Sequence, residues 1–247
     1  TSNLITEEFE KFGLEYSFTK DSKPESFEAE IKENTKVIYI ETPSNPLLTV
    51  TDIKAIAEIA KKHNLVSMID NTFASPVNQN PIDFGIDVVL HSATKYMGGH
   101  SDILAGTAIA SEAHIDKIFQ LAKNFGGSLS DFTVWMLERS LKTMGLRVKA
   151  QNKNALELAR FLEKHGDISR VYYPGLESHP DHELAKSQMK GFGGMMSFEL
   201  RGGLDFDLFQ KKLKLIKSSM SLAGVESTIL SPSKTSHGLL SPEEREA

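Results

Sequence analysis

The chain has 247 residues, with 28 Lys+Arg against 33 Asp+Glu for a formal net charge of −5, 40% hydrophobic and 25% charged residues, and no cysteine. That is ordinary globular composition, long enough for one large domain or two small ones, with no electrostatic pull toward nucleic acid or an anionic membrane surface. The lack of cysteine excludes disulfide scaffolds, Cys-ligated metals and Cys nucleophiles together, and no uncharged run approaches the roughly 20 residues of a membrane span.

The chain opens on Thr1-Ser2-Asn3-Leu4, without an initiating Met or the basic and apolar regions of a signal peptide. It closes on Pro242-Glu243-Glu244-Arg245-Glu246-Ala247, which reads as the first turn of a helix. The expectation is a soluble, cytoplasmic protein from which both flanks are missing. Val37-Ile38-Tyr39-Ile40 is a short apolar run halted by Pro43 and Pro46, a buried strand with a loop at its C-terminal end. A helix opens at Thr51 as N-cap, with Ile53, Ile56, Ala57 and Ala60 on one face. Val66-Ser67-Met68-Ile69 is a second strand ending at Asp70-Asn71, and Val88-Val89-Leu90 a third ending at Ser92-Ala93-Thr94-Lys95. Ile103-Leu104 and Thr107-Ala108-Ile109 suggest a fourth running away from the same region. Continuous apolar strands separated by helices predict an α/β fold, a mostly parallel sheet covered on both faces.

From Leu129 to about His165 the pattern is helical, with Val134, Leu137 and Leu141 on one stripe and Trp135 expected in the core. Val171-Tyr172-Tyr173-Pro174 and Gly193 to Leu200 then read as edge strands, with Met195 and Met196 as core. A helix from about Asp205 carries Phe209, Leu213 and Ile216, with Lys211, Lys212, Lys214 and Lys217 on its solvated face. A boundary near residue 150 divides the chain into an α/β piece, 1–150, and a smaller α+β piece, 151–247.

Ligands of parallel α/β sheets bind outside the carboxyl ends of the strands. Three strands here end in polar residues: Glu41-Thr42-Pro43-Ser44-Asn45, Asp70-Asn71-Thr72 and His91-Ser92-Ala93-Thr94-Lys95. A lysine just past a buried strand is desolvated, which favours the neutral amine and Schiff-base chemistry, although an exposed surface lysine fits the spacing as well. Ser92 and Thr94 are two apart, so in an extended segment their hydroxyls point the same way and suit a phosphate. Asp70 suits a protonated heterocyclic nitrogen. Amine, phosphate cup and carboxylate are together what pyridoxal phosphate requires. A metal reading of His91, His100, Asp102 and Asp70 competes but lacks any recognised ligand spacing. No G-x-G-x-x-G follows a strand and no G-x-S-x-G occurs, which sets aside nicotinamide and serine-nucleophile readings.

Glu41-Thr42-Pro43-Ser44-Asn45-Pro46, Asp70-Asn71-Thr72-Phe73, Ser92-Ala93-Thr94-Lys95-Tyr96 with Gly99-His100-Ser101-Asp102, and Ser221 to Ser227 occur in that order. In this the whole chain resembles the Cys/Met-metabolism, or trans-sulfuration, family of fold-type I pyridoxal-phosphate enzymes. The resemblance implies that fold, with a smaller C-terminal α+β domain, and pyridoxal 5′-phosphate as cofactor. By the same resemblance Lys95 forms the Schiff base and shuttles protons, Asp70 pairs with the pyridine nitrogen, and Ser92 and Thr94 bind the phosphate. Asn45 contacts the phenolic oxygen and the substrate carboxylate, Ser221 lies beside the substrate, and Phe73 packs near the ring. The implied activity is cystathionine γ-lyase-type C–S elimination on a sulfur amino acid. Cystathionine γ-synthase replacement on an O-acylhomoserine is the alternative, then cystathionine β-lyase or methionine γ-lyase chemistry. A reading of another class is an inactive fragment or partner subunit. The implied partners are a small amino-acid substrate and further copies of the chain, as a dimer of dimers, with no nucleic acid and no membrane. Two departures stand out: Met220 where γ-synthases and γ-lyases often carry Glu, and Lys234-Thr235-Ser236-His237 where Ser-Met-Thr-His is more usual.

Overall fold

A computed structural model describes residues 4–232; the Lys234–His237 run and the expected helix opening at Pro242 lie outside the described residues. Helix α1 (Pro24–Ala29) precedes strand β1 (Val37–Glu41), helix α2 (Ile53–Lys62), strand β2 (Val66–Asp70), the short helix α3 (Ser75–Asn78) and strands β3 (Val88–Ser92) and β4 (Gly106–Ala110). The four strands form one sheet in sequence order. β1, β2 and β3 are parallel, and β4 runs antiparallel at the β3 edge. Side chains alternate across the sheet. Ile38, Ile40, Ile69 and Val89 therefore leave one face and meet Ile53, Ile56, Ala57 and Ala60 of α2 in a single core cluster. Ile53 and Ile56 are fully buried, each worth roughly 1.5–3 kcal/mol relative to an exposed side chain. The helix face read from the sequence is the buried one, but the cap is Asp52, whose carboxylate accepts the Ala55 N–H at 2.9 Å. Thr51 is committed elsewhere, its N–H donating to Thr42 Oγ1 at 2.9 Å.

Helix α4 (Glu112–Phe125) follows β4 and was not anticipated; none of its residues is buried. Helix α5 (Asp131–Glu163) is 33 residues long, about 50 Å at 1.5 Å per residue, and runs unbroken through residue 150. Its buried positions are Leu137, Ser140, Val148, Ala155 and Ala159. The expected stripe differs: only Leu137 goes in, while Val134, Leu141 and Trp135 face out. The reason is that α5 meets neighbours on a narrow face, so apolar periodicity alone does not choose the buried side. Strand β5 (Ile168–Tyr172), helix α6 (His182–Gln188) and strand β6 (Ser197–Leu200) come next, with β5 and β6 antiparallel. Met196 packs with Ala155, Ala159 and Tyr173. Helix α7 (Phe206–Lys212) is capped by Asp205 and ends before Leu213 and Ile216. Strands β7 (Lys217–Ser218) and β8 (Thr228–Ile229) form a short parallel pair.

Candidate active site

The parallel strands end together. Glu41 and Asp70 are paired across β1 and β2, and Asp70 is paired with Leu90 of β3, two residues before Ser92. The three polar tails expected to converge therefore share one sheet edge, on strands about 4.8 Å apart. A Thr72 side chain ties two of them: its Oγ1 donates to Asp70 Oδ1 at 2.5 Å and accepts the Ser92 N–H at 2.8 Å. The Thr72 N–H adds a second bond to Asp70 Oδ1 at 3.0 Å. One carboxylate oxygen is thus held in place, which orients the group.

Beyond Ser92 the chain is not extended. The Lys95 N–H returns to the Ser92 carbonyl at 3.0 Å, so Ser92-Ala93-Thr94-Lys95 is a turn. The two hydroxyls are consequently placed by a turn and not by strand alternation. Thr94 Oγ1 accepts the Ala105 N–H at 3.0 Å and donates to the Ala105 carbonyl at 3.3 Å, whereas the Ser92 hydroxyl has no partner among the described residues. Ala93 and Met97 are buried with Ile103 and Leu137 and root the turn in the core. Lys95 projects from it half-buried, and its Nζ donates to Ser221 Oγ at 3.4 Å. Lys95, Asp70, Ser92, Thr94 and Ser221 are on elements that meet at this edge. Asn45 lies in the loop leaving β1 at the same edge, exposed, with its N–H donating to Glu41 Oε1 at 3.1 Å. Phe73 is buried beside Asp70 in sequence.

Burial sets the electrostatics. It lowers the Lys95 amine from its ordinary value, which favours the nucleophilic neutral form. Burial, reinforced by the charge of Asp70, pushes Glu41 up to about 6. Burial pushes the His91 imidazole down to about 4, against the pull of Asp70, so His91 is neutral at pH 7. The Tyr96 phenol is pushed up to about 12 by burial, and its Oη accepts the Gly194 N–H at 2.9 Å. No group of three or more His, Asp or Glu that could hold a metal ion occurs among the described residues.

The sequence reading did not single out Arg147, on α5. Its guanidinium donates to the carbonyls of Tyr96 (2.8 Å), Met97 (3.4 Å) and Ser140 (2.9 Å). It thereby grips the turn that follows Lys95. Gly99, at φ +70°, is required there twice over: by its left-handed backbone and because a Cβ would lie 1.9 Å from Arg147 Nη1. Nothing in local pattern marks Arg147, because its partners on the turn, Tyr96 and Met97, are some 50 residues away. The donor set as a whole comprises a desolvated amine, an oriented carboxylate and hydroxyls at a turn. It fits an aldehyde-bearing, phosphorylated pyridine.

A model of the family described as Cys/Met metabolism PLP-dependent enzyme matches residues 1–247. Cystathionine gamma-lyase of Bacillus subtilis is 43% identical over 246 residues, 99% of this chain and 65% of its own length. Cystathionine beta-lyase of Lactococcus lactis subsp. cremoris is 45% identical over 247 residues, 100% of this chain and 65% of its own. The crystal structure of cystathionine gamma-lyase from Lactobacillus plantarum complexed with L-serine matches with a TM-score of 0.96 at 41% identity, over 99% of this chain and 65% of that one. The chain spans about 65% of the length of these relatives. A family description that matches from the first residue to the last, on a sheet edge bearing the donors such an enzyme needs, identifies the chain as a member of the Cys/Met-metabolism family of pyridoxal-phosphate-dependent enzymes.

Proposed function

We propose that the protein cleaves the C–S bond of a sulfur amino acid, in the manner of a cystathionine γ-lyase. The observation that carries this is the half-buried Lys95 amine, lowered by burial, standing against Ser221 Oγ at the edge where Asp70 also ends its strand. Lys95 would hold pyridoxal phosphate through its aldehyde, Asp70 through the ring nitrogen, and Ser92 and Thr94 through the phosphate. Thr94 does so by releasing its long bond to the Ala105 carbonyl. Bound there, the cofactor supplies an electron sink for charge developing at the substrate Cα. Lys95 Nζ takes and returns the substrate protons, oriented by Ser221. Asn45 would receive the substrate carboxylate. γ-Replacement on an O-acylhomoserine uses the same groups and is the alternative. Met220, exposed next to Ser221, offers no carboxylate to a second amino group, which favours methionine γ-lyase-like chemistry as a second reading. We further propose that the chain works in the cytoplasm, divided near residue 150 into a cofactor-binding and a smaller domain, and assembles with copies of itself. Among the described residues no helix is long and apolar enough to cross a membrane.

Borohydride reduction followed by peptide mass spectrometry is expected to leave a pyridoxyl-phosphate adduct on the Lys95 peptide. Lys95→Ala should lose both adduct and turnover while melting as the parent does, since among the described residues the side chain's one hydrogen bond is the long one to Ser221. An adduct on another lysine would refute the assignment. Rates with cystathionine, methionine and O-succinylhomoserine plus cysteine then separate the subtypes.

A further inference from the structure

The turn that brings Ser221 to Lys95 is tied within its own segment by Thr228 Oγ1, which donates to the Ser221 carbonyl at 3.3 Å, and needs further support at Ala223 and Gly224. Ala223 sits at φ +64°, a left-handed conformation that an L side chain disfavours and keeps only when its surroundings hold it there. Gly224 is packed so closely that a Cβ would lie 2.8 Å from Ser101 Oγ. Among the described residues, the side-chain hydrogen bonds that reach the Ala223 and Gly224 carbonyls come from Gln151, on α5. Its Nε2 donates to the Gly224 carbonyl at 2.9 Å and reaches the Ala223 carbonyl at 3.5 Å. Its Oε1 is buried without a partner among the described residues, so the amide is held by its nitrogen alone. Turning it over would set oxygen against two carbonyls. Gln151 also packs beside the partner of Tyr96, the residue after Lys95: a Cβ at Gly194, whose N–H donates to Tyr96 Oη, would lie 3.0 Å from the Gln151 Cβ. One helical turn earlier, on the same face, Arg147 grips the carbonyls of Tyr96 and Met97.

We propose that Gln151 is a positioning residue: its side-chain amide fastens the Ala223–Gly224 turn to α5 and so sets the Ser221 hydroxyl against the Lys95 amine. The assignment deepens the reading of Lys95 as the cofactor-bearing lysine. A hydroxyl accepting from the charged amine favours its protonated form. Loss of the clamp therefore lowers the pH at which Lys95 becomes nucleophilic, as loss of the hydroxyl itself does.

The test measures the pH midpoint for acylation of Lys95 by limiting acetic anhydride, read on the Lys95 peptide by mass spectrometry. It uses the full chain freed of carbonyl compounds with hydroxylamine. Gln151→Leu and Ser221→Ala are each expected to move the midpoint down by about 0.5 pH unit, roughly a threefold faster acylation at a fixed pH below it. The double variant should move no further than Ser221→Ala alone, because Gln151 acts through that hydroxyl. An unchanged midpoint in Gln151→Leu, an upward shift from water admitted around Lys95, or shifts that add would each overturn the proposal. Gln151→Asn, one methylene too short to reach the turn, is read in the same way should Gln151→Leu not fold. If neither folds, Gln151 is a packing residue and the proposal fails. Pyridoxal phosphate is absent from the assay, so a missing adduct in the borohydride experiment would refute the functional reading and leave this result standing.

Discussion

Glu41 closes β1 directly opposite Asp70, and paired residues of neighbouring strands point to the same side of the sheet. Two carboxyls in a partly desolvated corner cannot both ionise freely, and burial together with Asp70 raises Glu41 to about 6 from the ordinary 4.5. Between those two values the folded chain binds a proton that the unfolded chain has lost, so stability falls as pH rises through that window. A difference of about 1.5 in pKa is worth roughly 2 kcal/mol. Glu41→Gln keeps an acceptor for the Asn45 N–H and removes the titration. Urea melts should therefore show the variant gaining on the parent by about 2 kcal/mol between pH 4.5 and pH 7. A difference independent of pH would show that folding leaves the Glu41 carboxyl at its ordinary pKa. The sequence marks Glu41 only as one member of a polar strand tail; its unusual protonation depends on the register with Asp70, which is tertiary. The same holds for Arg147 and Gln151, whose helical spacing is plain but whose targets, the turns after Lys95 and Ser221, are not.

At the scale of elements, strands β1 to β3 and the position of Lys95 were legible because buried parallel strands are unbroken apolar runs and their ends switch abruptly to polar residues. The buried face of α2 followed from helical i, i+3, i+4 spacing, and the fourth strand from the short apolar run Thr107-Ala108-Ile109. Helix α4 escaped because Phe119, Leu121 and Phe125 do not mark a face packed on this chain. The connection of α6 to the loop after β1 was equally hidden, since beside the packing of Ala185 on Val50 and Ala74 it is made by side-chain amides. Gln188 Nε2 donates to the Thr51 carbonyl (3.1 Å) and to Gln79 Oε1 (3.3 Å), and its Oε1 accepts the Ile53 N–H (3.3 Å). Gln79 in turn donates to the Thr42 carbonyl (3.1 Å) and Asn71 Oδ1 (2.8 Å). Thr42 and Thr51 bracket the loop that carries Asn45, so this buried network fixes both ends of the loop. Gln188→Leu would fill the space but strand a carbonyl, an N–H and an amide oxygen, at about 1–3 kcal/mol for each such group and less than additively. Urea unfolding should report a loss of about 3 kcal/mol, with faster hydrogen exchange across residues 43–50. A loss below about 1 kcal/mol would mean that water replaces the amide without cost.

For the whole molecule, the unexplained feature is apolar surface on α4 and the start of α5. Phe125 is 80% exposed, Phe132 67%, Phe119 62% and Trp135 55%, and Phe132 stacks on Trp135 at 6.0 Å between ring centroids. Aromatic side chains bury roughly 150–250 Å² each when covered. These four therefore present on the order of 500 Å² to water in all. A helix of 14 residues without one fully buried position, packed only through half-buried residues such as Ile115 and Ile118, gains little from its own core, so its stability points to cover from another surface. About 800 Å² per partner suffices for a stable contact, and a net charge of −5 sets up little repulsion between copies. Self-association through this surface predicts a multiple of the chain mass by light scattering at micromolar concentration. Phe125→Glu combined with Trp135→Glu should reduce the assembly to a smaller species while leaving the far-ultraviolet circular dichroism unchanged, because neither side chain is part of the core. If the parent protein scatters as a single chain at that concentration, the aromatic surface serves something other than self-assembly. If the double variant assembles as the parent does, the interface lies elsewhere on the molecule.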